Sequence, residues 1–178
     1  MRQLIAAEYL TLDGVMSDPH WTAPYWSESL GQMQHTLLFQ CDLLVMGRVT
    51  YEGMAQAWPA MTDEQGFAAR MNALPKRVAT HTLTHLNWNA TRFGEDLLGE
   101  LKDLKNQPGQ NLLIYGSGTL VRSLLPHGLI DEYHLMVHPV VLGSGQLLFS
   151  GGVQANLRLV SSQTTETGVV VLRYQPHT

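Results

Sequence analysis

Two turns in the sequence carry the residue types that hold phosphate groups in proteins. Each follows a short apolar run: residues 43–46 lead into Gly47-Arg48, and residues 112–115 lead into Gly116-Ser117-Gly118. A helix that begins at such a turn offers unpaired N–H groups and the positive end of its dipole. Because glycine lacks a Cβ, a phosphate can approach the backbone closely. Arg48 would add a fixed positive charge.

The turns also have a plainer interpretation, because a glycine between a strand and a helix is often only a turn. No Gly-x-Gly-x-x-Gly follows the first strand, so the dinucleotide fingerprint of the Rossmann fold is absent. Two such junctions in one short chain, with hydroxyl groups at Thr50, Ser117 and Thr119, favour a phosphate-bearing ligand. Both turns are predicted at carboxyl ends of strands, where open α/β sheets bind ligands.

Histidines and aromatic residues give less specific signals. His134 and His138 are four residues apart, and on a strand this spacing places them on one face about 13 Å from each other. No acidic cluster joins them, so we expect no metal site. Trp21, Tyr25 and Trp26 form either a cover over the core or a wall for a flat heteroaromatic ligand.

Hydrophobic periodicity predicts the elements that position these residues. Strands alternate with helices over roughly the first 130 residues, and strands alone complete the chain. This order is typical of a three-layer α/β/α fold with a mixed, mostly parallel sheet and a C-terminal antiparallel hairpin. The predicted strands lie at 4–7 (extending up to 9), 42–46, 77–80, 91–93, 111–115, 132–137, 156–164 and 168–174. The predicted helices lie at 26–40, 48–58, 62–73, 96–105 and 119–125.

Length, charge and cysteine content restrict the class of protein. The 178 residues fit a single domain, 1–178, with one core. A net charge of −4 with scattered basic residues argues against nucleic-acid binding. Glu8 and Asp13 interrupt the apolar stretch that a signal peptide would need near the start. No apolar run approaches the ~18 residues that a membrane span requires. The single cysteine, Cys41, excludes an internal disulfide, which fits a cytoplasmic protein.

Several short motifs, in their order and spacing, resemble those of dihydrofolate reductases. They are residues 4–7, residues 46–52 and residues 114–118. A later series, together with Leu12-Asp13-Gly14, is similar to the C-terminal reductase domain of the bacterial bifunctional riboflavin-biosynthesis protein. This series comprises residues 118–120, 128–132, 138–145 and 148–149, so the resemblance covers nearly the whole chain.

The resemblance implies a dihydrofolate reductase-like sheet of about eight strands and NADPH as the hydride donor. The two turns would hold the phosphates, with Arg48 near the 2′-phosphate, and Thr80 and His81 would meet the adenosine ribose. Ala7 and Asp13-Gly14 would lie near the nicotinamide. The residues so assigned to the cofactor are Ala7, Asp13, Gly14, Gly47, Arg48, Thr50, Thr80, His81, Gly116, Ser117, Gly118, Thr119 and Leu120. The resemblance also makes a homodimer the expected assembly.

The catalytic acid is the point at which the sequence departs from this pattern. Dihydrofolate reductases carry a carboxylate on the first helix, which grips the pteridine and supports protonation. Glu28 is the nearest candidate here, and an exposed surface acid is the alternative interpretation of it. Glu8, at the end of the first strand, is a second candidate. We expect Trp26 and Glu28 to contact the substrate.

Two classes of function remain open. The leading one is an NADPH-dependent reductase that resembles 5-amino-6-(5-phosphoribosylamino)uracil reductase and transfers hydride to a C=N carbon of a pyrimidine or pterin. Dihydrofolate reductase is the alternative within this class, and both imply a small heteroaromatic substrate. The other class is a non-catalytic nucleotide-binding or dimerising module that has the same scaffold, because a fold does not fix a function.

Overall fold

Eight strands pair into one sheet in the computed structural model, which describes residues 1–177. They are β1 (Leu4–Thr11), β2 (Cys41–Gly47), β3 (Lys76–Ala79), β4 (Ala90–Arg92), β5 (Asn111–Tyr115), β6 (Glu132–His138), β7 (Leu157–Thr164) and β8 (Val170–Pro176). Their order across the sheet is β4-β3-β2-β5-β1-β6-β8-β7. Neighbours from β4 to β6 run parallel, whereas β8 pairs antiparallel with both β6 and β7. The predicted fold, a mostly parallel mixed sheet with a C-terminal antiparallel hairpin, is confirmed.

Helices cover both faces of this sheet. They are α1 (Glu28–Phe39), α2 (Arg48–Ala57), α3 (Phe67–Ala73), α4 (Leu97–Asn106) and α5 (Gly118–Leu124). Side chains of β5 alternate between two cores, with Leu112 and Ile114 against α4 and α5 and Leu113 against α1, α2 and α3. Residues 112–115 of β5 are buried, and a strand buried on both faces reads as a continuous apolar run, which made the bounds of this strand predictable to the residue.

Helix α1 begins two residues later than predicted. The side chain of Ser27 caps it, because the Ser27 Oγ accepts a hydrogen bond from the Leu30 N–H at 3.3 Å. Trp26 therefore lies outside the helix, and its side chain is 58% exposed. The buried face of α1 is formed by Leu30, Gln34, Leu37 and Leu38.

Helix α3 also begins later than predicted, at Phe67 instead of near Thr62. The carboxylate of Asp63 accepts hydrogen bonds from the backbone N–H groups of Gln65 and Phe67 at 2.9 and 3.0 Å. These contacts hold residues 63–66 in a turn, because an aspartate side chain competes with the helix for nearby backbone donors.

The central strands end at one edge of the sheet, as their parallel pairing requires. Pairing between β1 and β5 stops at Ala7 and Tyr115, so β1 extends four residues beyond β5, from Glu8 to Thr11. This step in the sheet leaves space at the carboxyl edge. Within residues 1–177, no helix has the length and apolar character that crossing a membrane demands.

Candidate active site

A cleft of about 1490 Å³ follows the carboxyl edge of the sheet. The ends of β1, β2, β3 and β5 line it, together with the first turns of α2 and α5 and one face of α1. It brings together most of the residues proposed from the sequence: Ala7, Glu8, Trp26, Gly47, Arg48, Thr50, Thr80, His81, Gly116, Ser117, Gly118, Thr119 and Leu120.

A side-chain hydrogen bond joins the two glycine turns. The Gly47 N–H donates to the Oγ of Ser117 at 2.8 Å. Ser117 has a φ of 66° and Gly116 a φ of 65°, so the chain turns sharply where β5 ends. A Cβ at Gly116 would stand 3.4 Å from the side chain of Thr50, which shows how closely the turns approach. The two segments therefore form one continuous wall of the cleft.

Arg48 lies at the exposed part of this wall. Its Nη1 pairs with Glu52 Oε2 at 2.7 Å, and both side chains are 45% exposed. A surface ion pair of this kind contributes little to stability, so the guanidinium can engage an incoming anion at small cost. His81 is exposed at the same cleft, and the Thr80 Oγ1 accepts hydrogen bonds from the N–H groups of Thr82 and Leu83.

The part of the cleft beside α1 combines aromatic and amide groups. The Gln34 Nε2 donates to the Tyr9 hydroxyl at 2.5 Å and lies 3.2 Å from the Met136 Sδ. Burial raises the pKa of Tyr9 to about 12, so the phenol is protonated at neutral pH. Trp26 packs over Gly31, where an added Cβ would stand 2.9 Å from the indole. A flat ring with polar edges matches this arrangement.

Tyr9 and Gln34 were absent from the residues proposed from the sequence. One signal for Gln34 was present, because it occupies the position between Leu30 and Leu37 on the buried helical face, where an apolar residue is expected. Its contact with Tyr9 joins α1 to β1, and that pairing depends on tertiary packing alone.

Glu8 also lines the cleft, and its side chain lies on the face of β1 opposite to that of Tyr9. Its side chain is 1% exposed, and neither carboxyl oxygen has a hydrogen-bond partner among the described residues. Burial raises the pKa of Glu8 well above the usual value for a glutamate. Of the two acids proposed as catalytic, Glu8 is the one that the structure places at the cleft.

Glu28, Asp13 and Gly14 do not line the cleft. Glu28 is the exposed first residue of α1, which favours the alternative interpretation of it as a surface acid. The Asp13 carboxylate accepts hydrogen bonds from the Thr11 hydroxyl at 2.6 Å and the Gly143 N–H at 2.8 Å. The Gly14 carbonyl accepts one from the Leu148 N–H at 3.1 Å. Asp13 and Gly14 thus anchor the loop that follows β6.

That loop nevertheless reaches the cleft. The Met16 N–H donates to the Gln146 carbonyl at 2.9 Å, and the Gln146 N–H donates to the Ser17 Oγ at 2.9 Å. Met16, Ser17 and Gln146 all line the cleft. The Asp-Gly turn after β1 therefore acts on the site through the segment that it holds. Within residues 1–177, no three or more His, Cys, Asp or Glu side chains cluster as a metal site would require.

The fold and the cleft define an α/β protein of the dihydrofolate reductase-like class, with its large cleft at the carboxyl edge of a mostly parallel sheet, where open α/β sheets bind ligands. The chain belongs to the RibD C-terminal domain family, whose model matches residues 2–171. This is a family of reductases of the riboflavin-biosynthesis type, and its members generally use a nicotinamide cofactor.

Three known proteins illustrate the relationship. The uncharacterized protein YyaP of Bacillus subtilis (strain 168) is 30% identical, over 97% of this chain and 94% of its own length. A structure from Shewanella sp. PV-4, provisionally assigned to riboflavin biosynthesis, has a TM-score of 0.79 at 21% identity and 99% coverage of both chains. A diaminohydroxyphosphoribosylaminopyrimidine deaminase/5-amino-6-(5-phosphoribosylamino)uracil reductase from Thermotoga maritima has a TM-score of 0.70 at 14% identity. That match covers 99% of this chain and 57% of the Thermotoga chain.

Proposed function

We propose that this protein is an NADPH-dependent reductase that delivers hydride to a C=N carbon of a pyrimidine or pterin ring. The observation that carries the proposal is the composition of the cleft. One part is walled by the two glycine turns joined through Ser117, and another is lined by Trp26, Gln34 and Tyr9. A phosphate-rich cofactor and a flat polar ring fit these two parts side by side.

The residues at the turns fit a dinucleotide. A Cβ at Gly47 would lie 3.5 Å from Ser117, and a Cβ at Gly116 would lie 3.4 Å from Thr50, so glycine lets the two turns pack against each other. The hydroxyl-bearing residues Thr50, Ser117 and Thr119 line the cleft there. When bound, the cofactor supplies the hydride, and the protein supplies orientation and exclusion of water. Gly47, Arg48, Thr50 and the segment 116–120 would hold its phosphates. Thr80 and His81 would meet the adenosine ribose, and Ala7 would lie beside the nicotinamide.

The other part of the cleft suits the substrate. Gln34 presents an amide that is held by the Tyr9 hydroxyl, and an amide is complementary to the lactam and amino edges of pyrimidines and pterins. Trp26 offers a flat apolar surface at the entrance. Glu28, the acid expected on α1, does not line the cleft, so the α1 side of the cleft offers neutral groups to the substrate. The riboflavin-type substrate class is therefore preferred over dihydrofolate.

Titration of tryptophan fluorescence with NADPH and with NADH tests the proposal. We expect saturable binding of NADPH with an affinity in the micromolar range or tighter (Kd of about 1 μM corresponds to about −8.2 kcal/mol). Absence of NADPH binding at high micromolar concentration would contradict a reductase. The substrate is then identified by single-turnover oxidation of bound NADPH with 5-amino-6-(5-phosphoribosylamino)uracil-type precursors and, in parallel, with dihydrofolate. NADPH binding without oxidation by any member of either set would favour a non-catalytic nucleotide-binding module.

A further inference from the structure

Glu8 lies beside the second glycine turn. It is the first residue of β1 beyond the last pair between β1 and β5, Ala7 with Tyr115, and the Gly116 N–H approaches the Ala7 carbonyl at 3.4 Å. Side chains alternate along a strand, so Glu8 shares the face of Ala6 and Leu10. That face packs against α5, the helix that follows the turn.

The surroundings of Glu8 leave its carboxyl group without a partner. The residue is 1% exposed, and both oxygens lack a hydrogen bond among the described residues. Burial is the cause that raises its pKa, and no neighbouring charge counters that effect. A buried polar group without a partner costs about 1–3 kcal/mol and calls for an explanation, such as a ligand that completes it.

A neutral carboxylic acid offers one O–H donor and one carbonyl acceptor side by side. A primary carboxamide offers the complementary pair, a carbonyl acceptor and an N–H donor. The nicotinamide ring of the cofactor carries such a group. The two groups can form a closed pair of hydrogen bonds, and this pair would satisfy both oxygens of Glu8.

We propose that Glu8, in its protonated form, recognises the carboxamide of the nicotinamide ring by donating to its oxygen and accepting from its N–H. This inference rests on the proposed function. It makes Glu8 the residue that fixes which way the ring is turned in the cleft, and so which face of the ring meets the substrate. Hydride transfer requires the ring to be held in one such orientation.

The position of Glu8 favours the cofactor over the substrate as its partner. Tyr9 and Gln34 lie on the α1 side of the sheet, within the core formed with α1 or adjoining it. Glu8 lies on the α5 side, and the residue before it, Ala7, pairs with Tyr115 and approaches Gly116, where the second glycine turn begins. A carboxyl group there is separated from the substrate part of the cleft by the backbone of β1.

Two variants at this position separate hydrogen bonding from packing. Glu8→Leu fits the apolar surroundings and removes both hydrogen bonds, so we expect it to fold and to weaken NADPH binding by about 10–100-fold (about 1.4–2.8 kcal/mol). Glu8→Gln keeps one donor and one acceptor in nearly the same volume, and we expect its NADPH affinity to stay within about threefold of the unmodified protein.

Two ligands provide the controls. Adenosine 2′,5′-bisphosphate lacks the nicotinamide, and its affinity should be the same for all three proteins. Reduced 3-acetylpyridine adenine dinucleotide phosphate lacks the carboxamide N–H. The unmodified protein should bind it several-fold more weakly than NADPH, whereas Glu8→Leu should not distinguish the two.

The outcomes are distinguishable from failure of the proposed function. If neither NADPH nor adenosine 2′,5′-bisphosphate binds the unmodified protein, the reductase proposal itself fails. If NADPH binds and Glu8→Leu retains its full affinity, or loses affinity equally for NADPH and for the bisphosphate, the role of Glu8 is overturned. Unchanged NADPH affinity with weakened substrate binding in Glu8→Leu would also overturn it, because Glu8 would then contact the substrate.

Discussion

Arg48 is the residue of the cleft for which we propose the simplest electrostatic role. Its guanidinium is held by Glu52 at 2.7 Å, and both groups are 45% exposed, so neither is committed to the fold. A 2′-phosphate differs from a 2′-hydroxyl by charge, and a half-exposed arginine at the cleft is suited to read that difference.

We expect Arg48→Ala to weaken NADPH binding by about tenfold and NADH binding by less than about threefold, because only NADPH carries the 2′-phosphate. Fluorescence titration at low ionic strength measures both. Glu52→Ala is the matched control: it removes the partner and leaves the arginine, so NADPH affinity should be unchanged or increased. If Arg48→Ala loses equal affinity for NADPH and for NADH, Arg48 does not contact the 2′-phosphate.

Glu8 gives the ligand-free protein a specific pH dependence. Because burial raises its pKa above the ~4.3 of an unfolded glutamate, the folded chain keeps a proton that the unfolded chain loses. At pH values above the pKa of the unfolded glutamate, the folded state binds more protons than the unfolded state. Glu8 therefore lowers the free energy of unfolding as the pH rises toward its pKa in the folded state.

Glu8→Gln cannot ionise, so it should escape this loss. We expect the Tm of Glu8→Gln to exceed that of the unmodified protein, by a margin that is larger near pH 8 than near pH 5. Thermal denaturation without ligand at the two pH values measures the difference. A margin that is constant with pH would mean that Glu8 ionises in the folded protein much as it does in the unfolded chain.

At the scale of elements, Asp13 shows how a turn can act on a site that it does not line. Its carboxylate accepts the N–H groups of Leu142 and Gly143 at 3.3 and 2.8 Å, and the neighbouring segment carries Gln146 into the cleft. The hydrogen bond from the Thr11 hydroxyl, together with those from the Gly143 and Leu142 N–H groups, lowers the pKa of Asp13 and favours its charged form.

We expect Asp13→Ala to release this loop while leaving the sheet intact. Amide hydrogen exchange at Leu142 and Gly143 should accelerate by roughly tenfold or more, with little change in β5 or β6. Asp13→Asn retains one acceptor oxygen, so its exchange rates at these amides should lie between those of the unmodified protein and those of Asp13→Ala. Exchange that is unaltered in Asp13→Ala would show that other contacts hold the loop.

The elements differ in how far the sequence alone could predict them. β2 and β5 were predicted within a residue because an apolar run that ends at glycine has few other solutions. The predicted start of α1 was wrong because Trp26 fits the helical period. The side-chain cap at Ser27 makes the helix begin at Glu28. Strand ends that carry glycine could be identified as parts of a site. The pairing of Tyr9 with Gln34 could not, because it depends on how α1 docks on β1.

At the scale of the whole molecule, the strand order builds the site. β5 lies between β1 and β2, so the ends of three strands and the starts of α2 and α5 converge at one edge of the sheet. A ligand that bridges these elements binds the folded chain and not the unfolded one, and it therefore stabilises the whole fold.

NADPH at about one hundred times its Kd should stabilise the protein by about 2.7 kcal/mol, which corresponds to a rise in Tm of roughly 5–10 °C for a chain of this size. Scanning calorimetry or dye-monitored melting measures the shift. NADH at the same concentration should give a smaller rise. A Tm that is unchanged by NADPH would exclude binding at that concentration.

The position of β1 has a consequence for how the protein is made. Its two neighbours, β5 and β6, both come late in the chain, and Leu4 pairs with Leu112 while Ile5 pairs with Glu132. During synthesis, β1 therefore has no partner strand until Leu112 and the residues that follow it have been made. The apolar side chains of β1 remain exposed throughout that interval and can bind chaperones or other nascent chains. Codon choice or temperature shifts that slow translation before residue 115 would lengthen this exposure, and soluble yield would fall before the stability of the finished protein changed.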